Sequence, residues 1–358
     1  MKKILFIMPH VTGKGGTENV MAIVMKLLQK DSNIRPSLYL FGGSEDKNWL
    51  DGVNYTETTF SDNRIIRTVQ NLFSIFICLS GAIRKTKPDM VIATHSITCF
   101  VLYWLRKLSG RKFSIVSWVH FSLNVKNVNK ALLKYADYHF AICPGIKQQF
   151  MEIGTQESKV YVVNNPIYRT EQIILRPKNH TVFLYIGRVI FEGQKRVKDL
   201  LESLSLVQGE WSLVVVGDGN DRAQCQKYAE QLHINQRITW YGWLEKPWDI
   251  VNEVTALVLT SEFEGLPMVL AEGISRGVYC VSSDCETGPS DIIKHEVNGE
   301  LYPPHSVNQL HDILQNIVDR KKLPDQKLIQ SSISQMYIEE YMRNFKKAVN
   351  DIFEIENI

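Results

Sequence analysis

Short β-rich runs that alternate with helical ones, twice over, leave this chain few architectures. "KKILFIMP", "PSLYLFG", "DMVIATH", "FSIVSWVHF", "YHFAIC" and "VYVVNNP" are apolar enough to be strands buried on both faces, and helical stretches such as "TENVMAIVMKLLQK" separate them. The alternation lapses in the irregular, polar stretch 164–180. It restarts with "TVFLYIG", "WSLVVVGDG", "ITWYGW", "VTALVLT" and "VYCVSSD", again with helices between. Units of this kind build parallel sheets covered by helices. The expected fold class is α/β, two Rossmann-like doubly wound parallel-sheet domains facing a central cleft. Ligands of such sheets sit beyond the carboxyl ends of the strands. The reading divides the chain into a first domain 1–168, a linker 169–180, a second domain 181–330 and a helical segment 331–358 that packs back on the first domain. A length of 358 residues suits two cores better than one.

Composition removes several classes. Apolar residues at 44% and charged residues at 22% are ordinary globular values. The amino-terminal apolar run ends at Pro9 and His10, too early for a secretory signal or a membrane span. Six cysteines are scattered without CxxC spacing, which fits reduced cytosolic thiols and no zinc site. Net charge is +3, but residues 1–169 hold 22 basic against 11 acidic side chains while the remainder holds 19 against 27. Such a split points to different partners for the two halves, and an anionic acceptor or lipid suits the basic one. Nucleic acid suits it less, because the aromatics lie in apolar strands rather than between exposed cations. Segment 64–88, with Arg64, Arg67, Arg84, Lys85 and Lys87 around "LFSIFICL", is too short to span a bilayer. Its apolar residues suit a helix covering a sheet better than one on a membrane, while its cations suit a helix lying on an anionic surface.

Three loops carry the chemistry. After the first strand comes "GKGGTEN", where Gly13, Gly15 and Gly16 permit a close ligand approach and Thr17 is placed to cap the next helix. It is not GxGxxG, and a tight turn without a ligand explains the glycines as well. "GRVIFEGQKR" puts Arg188 at a strand end and Lys195 at the start of a helix, where the helix dipole disfavours a cation. Together they suit a diphosphate. In "EFEGLPMVLAEGISR", Pro267 fits the first helical turn, so Glu264 lies at the helix mouth and Glu272 in its second turn. Carboxylates there accept bonds from sugar hydroxyls, and with the two cations opposite the set describes a nucleotide sugar.

"EFEGLPMVLAE" resembles the E-x7-E motif of the retaining glycosyltransferases of family four, which have the GT-B fold. The resemblance covers most of the chain and is most specific over 181–302. "GRVIFEGQKRVKDL", "LTSEFEGLPM" and "SSDCETGPSDII", with "SWVHFSL" and "ADYHFAICPGIK" in the first half, are especially similar to the bacterial lipopolysaccharide-core 1,6-galactosyltransferases. It implies a UDP-sugar donor, retention of configuration, no metal cofactor and a glycolipid acceptor at the inner face of the inner membrane, which a cytoplasmic protein meets peripherally. By the same resemblance Glu272 binds the ribose, Glu264 contacts the donor sugar, and Arg188 and Lys195 neutralise the leaving diphosphate. Gly16, Gly187, Gly217, Gly265, Leu266 and Pro267 border the donor, Trp243 lies by the uracil, and His120 stands near sugar and acceptor. Lys195 is two positions later than in the family's commonest pattern. A GT-B nucleotide-sugar epimerase and a transferase of another UDP-hexose onto a lipid-linked O-antigen, capsule or exopolysaccharide acceptor are the alternatives. An epimerase has no use for a basic acceptor face.

Overall fold

In the computed structural model the chain parts into two compact units, Met1–Pro166 with Glu339–Ile358, and Ile167–Ile338. The structure describes residues 1–61, 63–125, 128–319 and 322–356, without the side chains of 64–69 and 71–73. Arg64 and Arg67, expected at a membrane-facing helix end, therefore lie outside the described side chains.

The first unit is built on β1 (Lys2–Val11), β2 (Ile34–Ser44), β3 (Tyr55–Thr59), β4 (Met90–Ala93), β5 (Ser114–Val119), β6 (Tyr138–Ala141) and β7 (Val160–Val162). They pair in parallel in the order β3-β2-β1-β4-β5-β6-β7. Ile4 to Met8 of β1 are all buried, as a strand with helices on both faces requires. Helix Gly16–Leu28 turns Val20, Met21, Val24, Met25 and Leu28 inward, the helical stripe legible in the sequence. Helix Arg64–Thr86 buries Leu79 and Ile83 in the sheet's core while Ile77 faces outward at 76% exposure, so its described apolar face covers the sheet. Residues 339–356 also pack on this unit. Phe345 meets Phe140 edge-on at 5.6 Å, Lys346 pairs with Asp31, and Tyr138 donates to Glu356 at 2.8 Å.

The second unit repeats the winding with β8 (Thr181–Ile186), β9 (Trp211–Val216), β10 (Ile238–Gly242), β11 (Ala256–Leu259), β12 (Tyr279–Ser283) and β13 (Gly299–Tyr302), in the order β10-β9-β8-β11-β12-β13. The irregular stretch after 166 is tied to it by bridges Ile167 to Tyr337 and Leu175 to Glu253. The sequence reading omitted β3 and β13. Both are edge strands, and "YTETT" buries so little that no apolar run marks it.

Candidate active site

The order of the second sheet reverses between β8 and β11, so the loops leaving their carboxyl ends run to opposite faces and open a crevice between them. The two loops grip each other. Glu262 N donates to Gln194 O at 2.9 Å and the Gln194 amide to Phe263 O at 3.3 Å. Thr260 Oγ1 donates to Lys195 O at 2.8 Å, and Lys195 Nζ reaches Glu264 Oε1 at 2.6 Å.

One expectation is corrected here. Lys195 does not open the helix, which runs Val197–Leu206. Its N-cap is Arg196, held left-handed at φ +47° and bonded to Asp199 at 2.7 and 3.0 Å, so the helix starts after both cations. Arg188 and Lys195 have separate partners within the protein. Arg188 is exposed and donates to Gln194 Oε1 at 2.5 Å, while Lys195 is committed to Glu264, their side chains 13% and 10% exposed. A pair so buried is held by mutual need, since removing one charge strands the other at a cost of about 3–5 kcal/mol.

Glu272 sits in helix Met268–Ile274, with Pro267 at the N-cap as its fixed φ favours. Its Oε2 accepts from the Trp248 indole at 2.8 Å, and the Arg276 guanidinium lies 4.8 Å over the same indole. Burial raises the Glu272 carboxyl above its ordinary range, and the Trp248 N–H and Arg276 oppose that rise. Gly265, Leu266 and Pro267 are buried. Behind them Thr287 Oγ1 donates to Glu264 O at 2.6 Å, and a Cβ on Gly288 would lie 2.6 Å from Gly265 O. Gly187 and Gly217 have a packing reason of their own, because a Cβ on Gly217 would fall 1.8 Å from the Gly187 carbonyl. Trp243 follows β10 with 48% of its surface exposed.

The first unit's residues are of another kind. Gly16 begins helix Gly16–Leu28, and a Cβ there would meet nothing within 4 Å. Thr17 is not the cap. Gly15 holds that position, and the buried Glu18 folds back so that Oε1 accepts from Gly13 N at 3.1 Å and Gly15 N at 3.3 Å. The loop's own amides are thus partly spent on its own carboxylate. His120, just past β5, is 7% exposed, lies tilted against Trp118 with ring centroids 4.5 Å apart, and among the described residues neither ring nitrogen has a hydrogen-bond partner. Burial pulls its imidazole down to about 3, so it is neutral at physiological pH.

The structure therefore brings Lys195 to Glu264 and the two loops to each other. It gives Glu272 a partner, Trp248, that sequence reasoning missed, as it missed Gln194, Thr287 and Glu18. Trp248 is 24 positions from Glu272, and no local pattern links them.

Residues 168–332 match the family described as Glycosyl transferases group 1. The chain is 39% identical to the lipopolysaccharide 1,6-galactosyltransferase of Salmonella typhimurium, over 97% of this chain and 98% of that protein. Among solved structures it is similar to the apo form of the lipopolysaccharide outer core galactosyltransferase WaaB, with TM-score 0.87, 38% identity and coverage of 98% and 99%. Anabaena Alr3699/HepE in complex with UDP-glucose has TM-score 0.78 at 17% identity, over 99% of this chain and 100% of that one, a likeness of fold.

Proposed function

Because the chain belongs to the lipopolysaccharide 1,6-galactosyltransferase family of GT-B glycosyltransferases, we propose that it transfers galactose from UDP-galactose, with retention of configuration, to a hexose of the lipopolysaccharide core. The observation that carries the reading is the E-x7-E loop locked to the β8 loop through Lys195 and Glu264, on a chain 39% identical to such an enzyme over nearly its full length.

In this reading Glu272, kept an acceptor by Trp248 and Arg276, takes the ribose hydroxyls, and Trp243 borders the uracil. Gly16, Gly187, Gly217, Gly265, Leu266 and Pro267 line the donor. Arg188 and Lys195 supply the positive charge that stabilises the departing diphosphate, in the place a cation would take. The bond between the anomeric carbon and the β-phosphate oxygen breaks as the acceptor oxygen bonds to that carbon on the same face. The acceptor's proton passes to the leaving phosphate, and UDP is released. Glu264, neutralised by Lys195, orients the sugar and is no nucleophile. His120 offers a neutral imidazole to a sugar or acceptor hydroxyl, its two nitrogens having no other partner among the described residues. The second unit thus binds the nucleotide sugar and the first the glycolipid acceptor.

No described helix is long and apolar enough to cross a membrane. The basic balance of the first half supports peripheral contact with the anionic inner face of the inner membrane, and a cytoplasmic location.

Transfer of labelled sugar from UDP-galactose, UDP-glucose and UDP-N-acetylglucosamine to truncated lipopolysaccharides tests the reading. Galactose on a core lacking its 1,6-linked residue is expected, and preference for another donor or acceptor would overturn it. Activity should survive EDTA. Full loss on chelation, restored by magnesium or manganese, would contradict the metal-free assignment. Flotation with phosphatidylglycerol vesicles should be clear at low salt and weaken at high salt, and absence of binding at low salt would remove the peripheral contact.

A further inference from the structure

At the amino edge of the first sheet, opposite the edge that carries Gly16 and His120, lies a cavity of about 630 Å3. Roughly 30 Å of strand separates the two ends of β1. Lys3 of β1, Arg35 of β2, and Lys85 and Lys87 from the end of helix Arg64–Thr86 line it, with Asn54 and Tyr55 between, and no acidic residue is on its wall. Among the described residues none of the four cations is ion-paired. Asp89, next along the chain from Pro88, spends Oδ2 on the Lys3 backbone N–H at 2.7 Å.

Ordinary helix-end chemistry does not account for this wall. Lysines at a helix carboxyl terminus are favoured by the dipole. Here, however, the Ile83 carbonyl already receives the Arg111 guanidinium at 3.2 Å and the Lys87 backbone N–H at 2.9 Å, and the dipole says nothing about Lys3 and Arg35 on neighbouring strands. Lys87 is itself in the left-handed region at φ +47°, where glycine is the usual occupant and a lysine is strained. Four like charges gathered without a counter-charge repel one another and do nothing for the fold alone. A bound polyanion removes both the repulsion and the unexplained choice of lysine.

We propose that this pocket is a binding site for a phosphate ester, separate from the sugar-transfer centre. Its volume suits a sugar phosphate or a lipid headgroup, and ammonium and guanidinium groups together suit a phosphate's oxygens. The site does not depend on the transferase reading.

The full-length protein is saturated with UDP, to occupy the donor site, and titrated with pyrophosphate at low salt by calorimetry. A binding event is expected that weakens tenfold or more in Arg35→Gln/Lys87→Gln, with transfer from UDP-galactose within twofold of wild type. Lys87→Gly separates binding from folding, since it relieves the left-handed lysine. It should melt no lower than wild type and still bind pyrophosphate several-fold more weakly. Sedimentation with phosphatidylglycerol vesicles distinguishes the sources: loss in the double variant identifies a lipid headgroup, and unchanged sedimentation a soluble phosphate ester. No heat with UDP bound, or equal affinity in wild type and double variant, overturns the proposal.

Discussion

The two units share a winding and differ in how their carboxyl edges treat charge. In the second, charged side chains are buried with partners: Lys195 with Glu264, Glu272 with Trp248, Arg196 with Asp199. In the first, Glu18 is bonded by the amides of its own loop, but the one catalytic candidate is a buried, neutral imidazole with no partner among the described residues. Under the proposed function, a site that holds a doubly charged diphosphate keeps its charges and satisfies them. Under the same proposal, a site that meets a neutral sugar hydroxyl keeps a neutral group without a partner among the described residues, at a standing cost of about 1–3 kcal/mol. On that reading one fold, used twice, serves two ligand chemistries through a few side chains at its strand ends.

The sharpest test of that contrast removes one charge from the second unit. Lys195→Ala should reduce turnover at saturating donor by about 10²–10³, or 3–4 kcal/mol. It should also lower Tm, since Glu264 is left buried and alone. Glu272→Ala should lose activity similarly. His120→Phe in the first unit should lose activity while raising Tm, because an unsatisfied polar ring is replaced by an apolar one of similar shape. If Lys195→Ala kept near-wild-type turnover, or His120→Phe lost stability as Lys195→Ala does, the contrast would fail.

Acid should separate the units next. His120 and His139 of the first unit have folded pKa values near 3 and near 4 through burial, below the ordinary histidine value, and His95 is lowered as well. The unfolded chain binds those protons first, so their contribution, present above about pH 6.5, is lost as pH falls toward 3–4, at roughly 3 kcal/mol each for His120 and His139 by pH 4.5. Glu272 runs the opposite way. Its folded pKa is raised, so its contribution is complete at acid pH and is lost as pH rises through that value. Hydrogen exchange at pH 7 and 4.5 should show β5 and β6 losing protection before helix Met268–Ile274, and equal loss in both would reject the assignment.

A smaller effect is expected at Trp248. Trp248→Phe takes one hydrogen bond from Glu272 and should raise KM for the donor about five- to tenfold, near 1 kcal/mol, with kcat held. Because the indole N–H lowers the carboxyl's pKa, the KM penalty should grow as pH falls below neutral. A penalty independent of pH would make Trp248 a packing residue only.

The smallest stability change belongs to Gly16→Ala. The new methyl meets open space and alanine favours a helix start, so Tm should hold within about 0.5 kcal/mol of stability or rise, while UDP binding weakens. Gly217→Ala in the second unit should destabilise outright, its Cβ colliding with Gly187 O. Unchanged UDP affinity in Gly16→Ala would remove that glycine from the donor's surroundings.

The sequence alone determined what local pattern can determine. Buried strands covered on both faces must be apolar along their length, and the helices between them must carry a stripe, so two parallel sheets were legible. The exceptions are edge strands β3, which buries too little to mark it, and β13, a four-residue strand that opens on Gly299 and Glu300. The two acids of "EFEGLPMVLAE" were legible because Pro267 fixes where their helix begins. The tertiary structure decided the pairings. Lys195 and Glu264 stand 69 positions apart, and Trp248 and Glu272 stand 24 apart. Glu18 lay unnoticed beside the glycines whose amides it takes. Whether a charge meets a partner, and whether a histidine is stripped of water, depends on which strand ends the sheet order sets side by side. That order follows from burial summed over a whole domain, which no stretch of a dozen residues contains.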